Sequence, residues 1–144
     1  MTGFSPELLA GYQQTSYVAL NGKQTATARI MADGGEIDAL LEKRGAAEVV
    51  FVTAWNPKSK RVGEAVNVAA HARLTDILED EDLDYIPAEL RPATRDWPVE
   101  KGVAIFDLAP FDALQLAEML GQYAIVWQGQ GQPAQLLFTR LALG

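Results

Sequence analysis

The run AEVVFVTA, Ala47 to Ala54, constrains this chain more than any other segment. Its centre is β-branched and continuously apolar, without the alternation of a half-exposed strand, so it suits a strand whose sheet is covered on both faces. The run therefore predicts the central strand of a layered structure. The rest of the chain has to supply the layers.

Ser5 as N-cap, Pro6 at the first helical position and Glu7 in the first turn predict a helix ending near Gln14. Ser16 to Leu20, the dipeptide Asn21-Gly22, and Gln24 to Met31 read as strand, turn and strand. Asp33 with Glu36 three residues on resembles a capping box for a second helix. That helix carries Ile37, Leu40 and Leu41 and closes at Lys43, Arg44 and Gly45. After the central strand, the pattern from about Gly63 to Glu79 places Val66, Ala70, Leu74, Ile77 and Leu78 on one apolar stripe, with Asn67 inside its edge and His71 just outside. EDEDLD, Glu79 to Asp84, sets acids against the negative end of that helix. Pro87, Pro92 and Pro98 then predict an irregular, linker-like connection. Gly102 to Leu108 reads as a strand, and Pro110 opens a helix with Phe111, Leu114, Ala117 and Leu120 that ends at Gly121. Tyr123 to Gln128 and Gln135 to Leu141 make a terminal strand pair across GQGQP.

This order predicts the α+β class: a single layered domain over 1–144, with a mixed β-sheet, antiparallel hairpins at both chain ends and helices packed on the sheet. A length of 144 residues suits one core. With no cysteine the chain has no disulfides, thiolate metal sites or Cys nucleophiles, and the cytoplasm is the expected compartment. The N-terminus shows no secretory signal. The uncharged stretch from Met119 to Thr139 holds too many glutamines and glycines, with Pro133, to span a bilayer, so no membrane association is expected. A formal net charge of -7 argues against broad nucleic-acid binding.

Against that acidic balance, TAWNPKSKRVGEAVN, Thr53 to Asn67, gathers Lys58, Lys60 and Arg61 where the central strand hands over to the next helix. The crevice beyond a strand's C-terminal end is a common ligand position, and the N-terminus of the helix that follows attracts anions. Lys58, Lys60 and Arg61 could supply charge there, while Thr53, Asn56, Ser59 and Asn67 supply short polar contacts. No GxxxxGK[ST] or GxGxxG pattern accompanies them. The plain alternative is a solvated Asn-Pro turn whose asparagines bond the local backbone.

The segment VFVTAWNPKSKRVGEAVN resembles the signature of a bacterial domain-of-unknown-function family, number 3293, through Thr53, Asn56, Pro57, Ser59 and Asn67. DWPVEKGVAIFDL and GQYAIVW are similar to its later blocks through Trp97, Glu100 and Gln122. The resemblance implies an α/β-type bacterial domain with a polar signature and no assigned activity.

His71, the single histidine, and Glu100 are the candidate acid–base groups if catalysis occurs, although a lone helical histidine is ordinarily structural. Ser59 has no GxSxG context, and EDEDLD lacks the spacing of a calcium loop, so no metal site is expected. No cofactor is indicated. Two functions compete. One is a small anionic or polar ligand bound at the 53–67 loop. The other is a protein-interaction or homo-oligomerisation module using the edge from Tyr123 to Leu141, which is uncharged as far as Arg140.

Overall fold

A computed structural model describes residues 4–143. Helix α1 spans Pro6–Gln14, with the Ser5 hydroxyl accepting from the Leu8 N–H as the expected cap. Strands β1 (Ser16–Asn21) and β2 (Gln24–Ala28) follow as an antiparallel hairpin. Its two-residue loop is Gly22-Lys23 rather than Asn21-Gly22, because Asn21 already pairs with Gln24. Gly22, at φ 67, takes the first loop position, where a type II′ turn wants glycine.

Helix α2 (Gly35–Arg44) begins one residue later than an Asp33 cap would place it, and its N-cap Gly34 makes no side-chain bond. The Glu36 carboxylate instead accepts from the Thr27 backbone N–H on edge strand β2. An unpaired strand amide thus takes the acceptor that a capping box would have used. At the other end Gly45, φ 69, is the expected left-handed cap.

Strand β3 (Glu48–Thr53) is the predicted central strand. It lies between β5 and β6 and is buried at every position after Glu48. A short 3₁₀ turn, Pro57–Ser59, leads to α3 (Glu64–Asp80). The residues α3 buries are Asn67, Ala70, Leu74 and Leu78, while Val66 is exposed. Ala70, Leu74 and Leu78 of the expected stripe face inward and Ile77 packs against them, so only Val66 departs from the expectation and the first inward residue is polar.

Of the Pro-rich stretch expected to be a linker, the part around Pro87 forms strand β4 (Tyr85–Arg91), while residues 92–99, with Pro92 and Pro98, are irregular as expected. β4 pairs with β1 on one side and β5 (Glu100–Phe106) on the other. Pro87 lies just past the last residue of the β1 ladder, Ala88, so its missing N–H falls where the strand has only one neighbour. Helix α4 (Pro110–Met119), strands β6 (Ala124–Gly129) and β7 (Gln135–Phe138) and the short helix α5 (Arg140–Leu143) complete the chain.

The sheet order is β2-β1-β4-β5-β3-β6-β7. The α+β class stands, with hairpins at both ends, but the expected mixed sheet is corrected: every strand pairing is antiparallel. The reason is topological. β3 and β4 run the same way across the α3 crossover, but β5 turns back from β4 and inserts between them, so the parallel neighbours never meet. The sheet also curls. The Met31 N–H donates to Ala134 O at 2.8 Å beside an isolated Ile30–Ala134 bridge, so the segment after β2 reaches the one before β7.

The two faces of β3 divide the core. Val50 and Val52 join Ala70, Leu74 and Leu78 of α3 and Ala113 and Ala117 of α4. Val49 and Phe51 face the other way, toward Ile37, Leu40 and Leu41 of α2. α2 covers only part of that second face. The remainder lies beneath α1, a helix with no fully buried residue of its own.

Candidate functional site

Strand alternation points Thr53 toward the α1 side, and antiparallel register sets Gly102 opposite it and Glu100 opposite Leu90. A Cβ on Gly102 would lie 2.7 Å from Val52 O and 3.1 Å from Leu90 Cδ1, so a residue without a side chain lets these strands crowd together here. Just past Thr53 the backbone turns sharply. Asn56, Lys58 and Ser59 all have positive φ, at 48°, 55° and 56°. Such a conformation is tolerated by asparagine and disfavoured for lysine and serine, so surrounding contacts must hold it. The Lys58 N–H donates to Gly121 O at 2.8 Å, and Gln122 Nε2 donates to Trp55 O at 3.0 Å, pinning the loop to the corner after α4.

Asn56 is the hub. Its side-chain oxygen accepts from Val62 N–H (3.0 Å) and from Asn67 Nδ2 (3.1 Å), and Asn67 Oδ1 accepts from the Asn56 N–H at 2.9 Å. Asn56 Nδ2 then donates to Glu100 Oε2 at 2.8 Å, and the Trp97 indole N–H donates to the same oxygen at 2.9 Å. Asn56, Asn67, Glu100 and Gln122 are 2%, 3%, 8% and 4% exposed, so this polar network runs through the interior. Burial raises the Glu100 carboxyl above its ordinary range, opposed in part by the donors Asn56 and Trp97. Glu100 Oε1 and Gln122 Oε1 carry no bond among the described residues.

These groups border a cavity of about 220 Å³ between α1, the 53–59 loop, the 92–97 bend and the sheet. Thr53, Asn56, Ser59, Trp97, Glu100 and Gln122 form its polar end. Tyr17, Phe51, Leu90, Val126 and Leu136 form its apolar floor. Above them Tyr12 on α1 brings its hydroxyl to 3.3 Å from Ser59 Oγ, and Tyr17 donates to Tyr12 O at 2.9 Å. Burial raises both phenols, so they stay protonated near neutrality.

Of the residues singled out in the sequence, Thr53, Asn56, Ser59 and Glu100 line one cavity, and Asn67 stands directly behind Asn56. Lys58, Lys60 and Arg61 are exposed and are not on its lining, and neither is Trp55. Arg61 instead has its guanidinium 5.9 Å from the Trp97 ring. Among the described residues no Lys, Arg or His lines the cavity. His71 sits on α3, against the opposite sheet face, and Glu100 and His71 do not share a site. The His71 Nδ1 is buried without a partner among the described residues, and burial with nearby Lys101 lowers the His71 pKa. Two of the five acids of EDEDLD have side-chain partners, Glu79 in Tyr85 and Asp84 in Arg44 of α2. Among the described residues no cluster of His, Asp and Glu could hold a metal ion, and no helix is long and apolar enough to cross a membrane.

Sequence reasoning did not single out Tyr12 and Tyr17, which no local pattern marks. Trp97 and Gln122 were visible through family similarity. A polar residue on the buried stripe of α3, Asn67, was a readable signal.

A family model described as Protein of unknown function (DUF3293) matches residues 52–125. That span contains the whole polar network and excludes α1, β1, β2 and β7. No curated protein and no solved structure matches the chain.

Proposed function

The chain belongs to the DUF3293 family of proteins of unknown function, and from that premise we propose that it binds a small polar molecule in the cavity beneath α1. The ligand's hydrogen-bonding head lies against Glu100, Asn56 and Gln122, and its apolar body rests on Tyr17, Phe51 and Leu90. One observation supports this reading most. A buried carboxylate accepts two bonds on Oε2, while Oε1 accepts none among the described residues, and the residue stands at the end of a mostly apolar hollow. A carboxyl serving only the fold would be expected to satisfy both oxygens or to be replaced by a neutral group. The size suits a compact metabolite, since pockets for drug-sized ligands start near roughly 300 Å³. A cysteine-free chain suits a reducing compartment, and bacterial cytoplasm is where the ligand is sought.

The anionic half of the expectation finds little support, because the lining holds carboxyls and phenols and no cation. A catalytic role would rest on Glu100 alone, with His71 on the far side of the sheet.

A thermal-shift screen of polar metabolites against the wild type and Ala93→Trp, a bulky ring at an exposed position of the cavity wall, tests the reading. A ligand at about a hundred times its Kd adds about 2.7 kcal/mol, or roughly 5–10 °C in a chain of this size. The shift should disappear in Ala93→Trp. Equal shifts in both proteins would place binding elsewhere. Concentration-dependent self-association without any ligand shift would favour the interaction module through the 123–141 edge.

A further inference from the structure

We propose that the ligand class of this cavity is a small organic ammonium, a primary amine carried on an apolar body. This rests on the reading of the cavity as a ligand site and narrows it to one charge.

Several donors at the polar end are directed into the protein: Asn56 Nδ2 and Trp97 Nε1 to Glu100, Thr53 Oγ1 to Lys101 O, and Gln122 Nε2 to Trp55 O. The Tyr12 and Ser59 hydroxyls share one contact, which leaves one of their hydrogens uncommitted. Glu100 Oε1 and Gln122 Oε1, on residues that line the hollow, accept no bond among the described residues. A ligand that brings hydrogens would satisfy them, and an ammonium brings three with no acceptor to conflict. Charge agrees. Glu7 and Glu100 are the lining residues that carry charge, and both are acids. A carboxylate or phosphate entering this space would meet like charge with no compensating cation, whereas an ammonium would neutralise Glu100.

The aromatic lining adds to this. Tyr12, Tyr17 and Trp97 border the space, and the faces of such rings attract a cation held within about 6 Å. Arg61 has its guanidinium 5.9 Å from the Trp97 ring and lies off the lining. The chain's net charge of -7 further favours the encounter with cations.

The test compares benzylamine, benzyl alcohol and benzoate, which share one body and differ in charge, on the nitrogen-15-labelled full chain near neutral pH. The indole N–H signals of the tryptophans are followed. Trp97 donates to Glu100 and reports on the site, while Trp127 donates to Glu48 and serves as the internal control. The amine should move the Trp97 signal saturably and about tenfold or more tightly than the alcohol, with benzoate leaving it in place and Trp127 still. Glu100→Gln should bring the amine down to the level of the alcohol. Benzoate or the alcohol binding as tightly as the amine would overturn the ammonium class while leaving a ligand site standing. No response to any of the three would overturn both readings. Should Glu100→Gln fail to fold, the ranking of the three probes on the wild type decides the matter alone.

Discussion

Replacing Asn56 tests whether one side chain holds both the loop and the cavity. Asn56→Ala removes the acceptor of Asn67 Nδ2 and Val62 N–H and the donor to Glu100. Asn67 is 3% exposed, so its orphaned amide would lose about 1–3 kcal/mol. Val62 is exposed enough for water to replace its bond, at roughly 0.5 kcal/mol. Losing the donor to a carboxylate adds roughly 1 kcal/mol, and a Cβ-bearing residue without asparagine's local bonds at φ 48 adds about 1 more. The total, about 3.5–5.5 kcal/mol, is a large share of the roughly 5–15 kcal/mol that holds a domain together. Asn56→Gly forfeits the same hydrogen bonds but not the backbone term, so it should be about 1 kcal/mol less damaging than alanine. Urea unfolding followed by tryptophan fluorescence measures both. At a slope of roughly 2 kcal/mol per molar, the alanine midpoint should fall by about 2 M. An alanine variant within about 1 kcal/mol of the wild type, or a glycine variant worse than the alanine, would refute the assignment of Asn56 as the hub.

Glu100→Gln keeps an acceptor for Asn56 and Trp97 while removing the buried charge. Because the folded carboxyl titrates above its ordinary 4.5, the stability it contributes is fully present below that value and is lost as pH rises through the folded pKa. The variant should therefore match the wild type in acid and exceed it increasingly toward neutrality. His71 is common to both proteins and cancels, so a flat difference across the pH series would contradict the burial argument. Gly102→Ala should cost about 1–3 kcal/mol by calorimetry, since its Cβ would meet Val52 O at 2.7 Å and backbone cannot swing aside; a neutral result would mean the strands separate easily there. Gly11→Ala, inside α1 with nothing within 4 Å of the new Cβ, should raise stability by up to about 1 kcal/mol. A loss of stability would show that α1 needs flexibility at that point.

Much of the fold was written locally. Ser5 and Pro6 start α1, Gly45 ends α2, and the apolar run through Phe51 makes β3 central, because caps, positive φ angles and continuous hydrophobicity act over a few residues. Strand β4 was not legible. Its Pro87, with Pro92 just beyond, signals irregularity, and only hydrogen bonding to β1 and β5, distant in sequence, overrides that signal. The stripe of α3 was misread only at its first member, because Val66 is the more apolar residue, yet Asn67 turns inward, where Asn56 supplies its partner.

The site divides in the same way. Residue types marked Thr53, Asn56, Ser59 and Asn67 as candidates, and also Lys58, Lys60 and Arg61, while Glu100 entered through the family resemblance. Tertiary structure decided which of them meet. Antiparallel pairing of β3 with β5 carries Glu100 to Asn56 across 44 residues of chain, and the left-handed turn at Asn56, Lys58 and Ser59 leaves the three cations exposed, off the cavity lining. A sequence fixes which groups can form hydrogen bonds and which must stay hydrated. Their distances and directions follow only when strands far apart in the chain bury their apolar sides together.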